Sequence, residues 1–416
     1  MYITECRLSD DGSSIASSEY EHSNRRHHSP DTRGACFQSP RLATAAARAR
    51  GDGRCRTEGP DPVIDAVTAA GFYRLLSPRQ FGGYEAEVRT VLEISESLGQ
   101  ADGSVAWLVG LGATAAWMAS HFSDRARSEV FADNGDARIA GAATPGPARR
   151  VDGGLRVSGR WAYASGCPHA TWAGIVAIVA DDSGQPADAY WCLVPASDLR
   201  IEDTWRTTGM RGTGSNTWVG EDVFVPDYRT IPMDISAKEA LPAPTDAPMY
   251  RLPFPTLGTL ALLGPILGIT GAALTYTIEK APTKAMHHTI FTKQSESVGV
   301  QVQIAEAALK LETARLHIYA IADQLDRAAA DDRHIDYDER AKARAQGGFA
   351  AQQMLDAINI LVNVHGAGSF AESNPLQRYW RDANTAARHA GLYPVVGYEV
   401  FGKSLLGVDE HISPMV

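Results

Sequence analysis

Apolar positions recur every three to four residues at both ends of this chain and every second residue in its middle third. Val63, Ile64, Val67 and Ala70 form a first helical stripe, opened by Pro62 and closed by Gly71. Residues 86–122 continue as helices with one buried face. From about 136 the period drops to two. Asp152-Gly153 is a hairpin-turn dipeptide with Leu155 and Val157 alternating behind it, two strands flank the polar turn at 181–186, and Trp218 to Val225 alternates again. After a Pro/Ala-rich linker the helical period returns. Val298, Val302, Ala305, Leu309, Leu316 and Ala320 mark one helix, and Met354, Ile358, Leu361 and His365 another, the periodicity of an antiparallel four-helix bundle. The pattern divides the chain into an aperiodic, disordered extension (1–38), an N-terminal helical domain (39–135), a β-domain (136–232), a linker (233–254) and a C-terminal helical bundle (255–416). The fold class is α+β.

Composition narrows the partners. The 416 residues are 44% apolar and 21% charged with a net charge of −10, which excludes nucleic acid and an anionic membrane surface as natural partners. Five cysteines without C-x-x-C spacing point to reduced thiols and a cytoplasmic protein. The N-terminus lacks the pattern of a signal peptide. Residues 252–278 carry no charge and are long enough to span a bilayer. Three prolines, four glycines and the lack of a basic flank make this segment a buried bundle helix instead.

Three runs hold the candidate chemistry: WAYASGCPHATW (161–172), MRGTGSNTWVGEDVFVP (210–226) and NPLQRYWRDANTAARHA (374–390). Taken by themselves, the glycines of 209–215 suit either a strand-entry turn or a backbone cradle to which Thr213 and Ser215 add hydroxyls. Ser165 reads as a turn residue before Gly166, Cys167 as a small packing residue, and His389 as a packed or capping residue. Gly110 to Ala115 formally matches the dinucleotide fingerprint GxGxxA but has no preceding strand, so it reads as close helix packing.

In order and separation the three runs resemble the acyl-CoA dehydrogenase fold, and within it the oxygenase components of two-component flavin-dependent monooxygenases. The resemblance covers roughly 40–416. It implies a helical domain, a central β-barrel or sandwich and a four-helix bundle. It also implies reduced FMN from a separate flavin reductase, O2 as co-substrate, a C4a-hydroperoxyflavin, hydroxylation of an aromatic (phenolic or polycyclic) small molecule, and a homotetramer. The catalytic residues it implies are Ser165, bonding the flavin near N5, and His389, a donor or general acid–base facing flavin and substrate. Cofactor contacts would come from Trp161, Ser165, Arg211, Gly212, Thr213, Gly214, Ser215 and Lys293, and substrate contacts from Trp117, Met118, His121, Tyr163 and Tyr250. Arg381-Asp382 would be a structural ion pair.

Several positions depart from the family's patterns. Ala115 stands where phenol-hydroxylating relatives carry a substrate-activating histidine, and the nearest histidine is His121. Asn384 stands where a further histidine occurs. Ala390 occupies the position of a dehydrogenase's catalytic glutamate, and no acidic residue follows Asp382 until Glu399, which disfavours α-proton abstraction from an acyl-CoA. The Arg-x-x-Phe-Gly pattern for adenine is absent around 292–299, which favours FMN over FAD. N- and S-oxygenation occur on the same scaffold and stay open.

Overall fold

Asp102 ends one helix and begins the next, its carboxylate accepting from the backbone N–H groups of Ser104 and Val105. This is the sharp corner at the centre of the N-terminal helical part. The structure, a computed structural model, describes residues 61–132, 135–180, 183–233, 241, 243–413 and 416. The extension over 1–38 and most of the linker lie outside the described residues.

The helical part comprises α1 (Asp61–Ala69), α2 (Val88–Ala101), α3 (Gly103–Ser120) and α4 (Asp124–Val130). Seven strands follow: β1 (Ile139–Val151), β2 (Gly154–Ala164), β3 (Trp172–Ala180), β4 (Pro186–Pro195), β5 (Arg200–Glu202), β6 (Asn216–Pro226) and β7 (Thr230–Pro232). Among the described residues they form one mixed sheet in the order β5-β6-β2-β1-β3-β4-β7, with only β1 and β3 parallel. Its hydrogen-bonded pairing has two ends, but β4 comes into contact with β6, so the sheet curls over a core of its own as the expected barrel-like β-domain does. The Asp152-Gly153 turn joins β1 to β2, with Gly153 at a φ of 74°.

The bundle consists of α5 (Phe254–Lys280), α6 (Val298–Ala330), α7 (Tyr337–His365), α8 (Pro375–Ala386) and α9 (Pro394–Leu405). Helices α3 and α5 are each long and apolar enough to cross a membrane, but both are mostly buried inside the protein. They pack against each other at Gly110, where a Cβ would lie 2.9 Å from the Ala261 carbonyl oxygen. The fingerprint-like glycines are thus helix-packing residues.

The sheet keeps its own core around Trp161, Trp218, Ile175 and Leu155. Trp161 is fully enclosed and its Nε1 donates to the Val176 carbonyl at 2.9 Å, so its indole lies across β1. Gly146 of β1 makes room for it, since a Cβ there would meet the ring at 2.7 Å. Trp161, which the motif offered as a cofactor contact, is therefore placed in the sheet interior.

The stripe expected to be the buried face of α6 is on the outside. Val298, Val302, Leu309 and Leu316 are 60–69% exposed, while Val300, Ala307, Leu311, Ala314, Ile318 and Leu325 fill the core. Helix α6 carries two apolar faces, and periodicity cannot tell which one meets its own bundle.

Candidate active site

The bend at the end of β2 sets the site. Pairing with β6 shifts register between Trp161 and Ala164, and Tyr163 takes a left-handed φ of 63° at this bulge. The Tyr163 side chain is left 71% exposed with its ring edge toward Trp205. The chain then turns tightly, Ser165 N–H bonding the Tyr163 carbonyl and Gly166 N–H bonding the Thr213 carbonyl at 2.8 Å. The first and second runs are thereby pinned together, and Cys167, buried, lies with Sγ 3.4 Å from the Gly214 carbonyl.

The second run is a short 3-10 turn, Arg211–Thr213, flanked by Met210 and Gly214, both left-handed. Its hydroxyls form a chain. Thr213 Oγ1 donates to the Met210 carbonyl, lies 2.7 Å from Ser215 Oγ, and Ser215 Oγ lies 2.7 Å from Ser165 Oγ. Each hydroxyl has one proton. With the Thr213 proton committed to Met210, Ser215 must donate to Thr213, and Ser165 to Ser215. Trp107 Nε1 donates to Ser165 Oγ at 3.3 Å. Ser165 therefore turns a lone pair, not a proton, to any further partner.

The third run closes the site. Asp382 Oδ1 accepts from Met210 N–H at 2.6 Å, and Arg381 Nη1 donates to the Thr208 carbonyl at 2.8 Å. Rather than pairing with each other as the resemblance implies, both side chains clamp the 208–210 loop onto α8. Gly209 is required at that contact, since a Cβ there would lie 2.1 Å from the Arg381 carbonyl oxygen. Burial pushes the Asp382 carboxyl up to about 6 despite the Met210 N–H. Beyond α8, His389 caps the turn Ala390–Leu392, its Nδ1 accepting from Gly391 N–H at 3.0 Å. Its ring meets the Trp107 ring edge-on at 5.8 Å.

His389 keeps accessible surface on one side while protein crowds its others. That crowding, with the Arg344 guanidinium second, pushes its pKa down to about 4, and the open side lets water offset part of the push.

The other predicted residues are placed elsewhere. Trp117 lies ten positions beyond Trp107 on α3, about 15 Å along the axis. Its Nε1 bonds the Met249 carbonyl, and its ring packs on His121 and Phe254. Tyr250 donates to the Leu76 carbonyl and stands edge-on to His121. Met118 is buried in the helical core. Trp117 and Tyr250 line a cavity of about 270 Å³ at the far end of the bundle with Phe254, Arg251 and Arg340. Lys293 sits on an exposed loop whose bonds run to Glu296. The sequence pattern does not distinguish Trp107, because α3 is apolar all round and its period gives no direction.

A family model for the acyl-CoA dehydrogenase C-terminal domain matches residues 260–394. The oxygenase subunit HsaA of a flavin-dependent monooxygenase from Rhodococcus jostii (strain RHA1) is 33% identical over 355 residues, 84% of this chain and 92% of the relative. This chain belongs to the flavin-dependent monooxygenase oxygenase subunits. A FADH(2)-dependent resorcinol hydroxylase oxygenase component from Rhizobium sp. (strain MTP-10005) is 31% identical, covering 84% of the oxygenase and 88% of the relative. The structure of XiaF from Streptomyces sp., in complex with FADH2 and glycerol, superposes with a TM-score of 0.84 at 36% identity, covering 92% of the oxygenase and 96% of XiaF. The oxygenase is a reduced-flavin-dependent monooxygenase component.

The residues fit a flavin. Arg211 Nε is buried without a partner beside the 3-10 turn, Ser165 presents a free acceptor, and Gly212 keeps the turn close to α3, its Cβ position 3.1 Å from Ser104. These supply a cation, an acceptor for a ring N–H, and an approachable backbone.

Proposed function

We propose that this oxygenase takes reduced flavin from a separate reductase and transfers one atom of O2 to an aromatic, phenolic or polycyclic small molecule, the other atom leaving as water. The observation that carries the reading is Trp107, which donates to Ser165 and packs on His389, placing both on one wall. Bound reduced flavin supplies the electrons that activate O2. Ser165 Oγ accepts a flavin ring N–H, Arg211 holds negative charge on the cofactor, and His389 faces the reacting oxygen as a hydrogen-bond donor or general acid–base group. Leu111 and Ala115, one and two turns beyond Trp107 on the same face of α3, are half-buried and offer an apolar surface to an aromatic ring. The names of two relatives, a resorcinol hydroxylase and an indole-3-acetate monooxygenase, support an aromatic substrate. Ala390 brings no carboxylate, and its carbonyl is bonded by Arg344.

We propose FMN as the flavin, on the lack of an adenine-binding arginine pattern. A second reading, FADH2, is favoured by the FADH2 of XiaF and of the resorcinol hydroxylase. The exposed stripe of α6, with Val395, Tyr398 and Leu405 of α9, supports a homotetramer. Lys293, five residues before that stripe starts, then reaches a neighbour's cofactor. Five cysteines without C-x-x-C spacing support a cytoplasmic enzyme.

An oxygen-uptake screen with each reduced flavin against phenols, polycyclic aromatics, amines and thiophenes tests this. The expected result is product in proportion to O2 with an aromatic hydroxyl acceptor. Peroxide as the sole product with every aromatic would overturn the reading.

A further inference from the structure

Arg344 lies on α7, buried, and its Nη2 donates to the Ala390 carbonyl at 2.6 Å, one residue beyond His389. Among the described residues no carboxylate pairs with it, and its Nε is buried without a partner. The surroundings leave little room to relax: a Cβ on Gly397 of α9 would sit 3.0 Å from the Arg344 carbonyl oxygen, and one on Gly348 would sit 2.9 Å from Pro394. A guanidinium with no counter-ion is costly to bury, so its position beside a titratable ring needs an account.

The ring's own bonds supply half of it. Gly391 N–H donates to His389 Nδ1. An imidazolium carries N–H at both nitrogens, so protonation would set Nδ1–H against Gly391 N–H and break that bond. A neutral ring whose Nδ1 accepts has its proton on Nε2. Arg344 supplies the other half: it fixes the Ala390 peptide that follows the ring and adds a positive charge that opposes a second. From the remaining elements, α3 presents the Trp107 indole and α5 the apolar Leu262 near Gly391. Arg388 is adjacent in sequence, and Asp382 lies on α8, committed to Met210.

We infer that Arg344 is a positioning residue that holds His389 as a neutral imidazole with its Nε2–H free to point into the cleft, so that His389 works as a fixed hydrogen-bond donor and not as an acid–base group. The inference rests on the reading of His389 as part of the flavin-facing wall, and it narrows the two roles open to it to one.

The test needs no flavin. Deuterium exchange at the imidazole C2 position follows the ring's titration, rising with pH to a plateau above its pKa, and its rate at His389 is read by peptide mass spectrometry on the full-length protein, with N-acetylhistidine in the same tube. Between pH 5 and pH 8 a residue with the ordinary pKa of about 6.5 gains about 30-fold in rate. His389 should change less than about twofold. R344Q, which keeps a donor and loses the charge, should restore a rise of several-fold, and R344K should return the flat profile. Circular dichroism checks that each variant is folded, and if R344Q is not, the wild-type profile alone decides. Wild-type labelling that climbs with the standard overturns the inference, as does a folded R344Q with an unchanged flat profile. Neither result touches the functional reading, which fails separately if His389→Ala keeps full product per O2.

Discussion

The Trp107 indole N–H donates to Ser165 Oγ at 3.3 Å while the ring edge of the same side chain meets His389, so one residue of α3 touches both candidate catalytic groups. Their spacing is therefore set by a rigid aromatic plate and not by the loops that carry them.

Trp107→Phe should separate the two functions of that plate. The phenyl ring keeps most of the packing on His389 but leaves Ser165 without its donor, a loss of about 0.5–1.5 kcal/mol for an ordinary hydrogen bond. Product per O2 should fall and peroxide rise, with thermal stability changed little. Trp107→Ala should also cost about 3–5 kcal/mol of stability. Calorimetry and a coupled peroxide assay distinguish the two. Wild-type coupling in the phenylalanine variant would remove Trp107 from the site.

Gly209→Ala should pry the 208–210 loop from α8, because its Cβ has no space against the Arg381 carbonyl. Overpacking of this kind costs about 1–3 kcal/mol or more. Since the loop leads into Arg211–Thr213, flavin affinity should weaken in step with the melting temperature. Fluorescence titration of oxidised flavin measures it, and unchanged affinity in a destabilised variant would dissociate the loop from the cofactor.

Two carboxyls should give an acid-side signature. Burial raises both Asp382 and Asp326 to about 6 in the folded protein, although Asp326 accepts from the Val88 and Arg89 N–H groups. A raised folded pKa means that the native state binds the proton more tightly than the unfolded chain does. Each group's contribution therefore falls as pH rises from about 4 through about 6 and is flat above. In denaturant unfolding between pH 4 and 7, Asp382→Asn should remove its share of that decline while keeping the acceptor for Met210. An identical pH slope in wild type and variant would contradict the assignment.

Leu309→Lys or Val302→Glu on the exposed stripe of α6 should break the proposed assembly and leave the protomer folded. Light scattering should then read a mass near that of one chain, and flavin affinity should fall with it if Lys293 serves a neighbour. A wild-type protein that is already monomeric would end this argument before any variant is made.

Much of this fold was readable because its local signals agree. The Asp152-Gly153 turn, the Pro62 start and the alternation of Trp218 to Val225 each point to the element that formed. The α6 stripe shows where reading stops: Val298, Val302, Leu309 and Leu316 have the correct period for a core and lie outside it. A helix that meets its own bundle on one side and bears apolar residues on the other has two such periods. The site was legible as three runs, and Ser165, Ser215 and Thr213 do converge. Trp107 was hidden, since it sits in a helix where nearly every residue is apolar. Trp117 and His121, which the resemblance implies as substrate contacts, lie toward the far end of α3 by helical rise, and Tyr250 packs against His121 there.

Helix α5 has a consequence for how the chain can be handled. Its uncharged surface is sheathed by α2 and α3, which are made before it, and by α6 and α7, which are made after. During synthesis it must wait, half-covered, until some eighty further residues have emerged. A fragment ending near Lys280 would leave uncovered the faces of α5 that α6 and α7 otherwise bury, inviting aggregation or capture by a bilayer. A boundary at the edge of the sheet is no remedy, because it strips α5 from the apolar faces of α2 and α3.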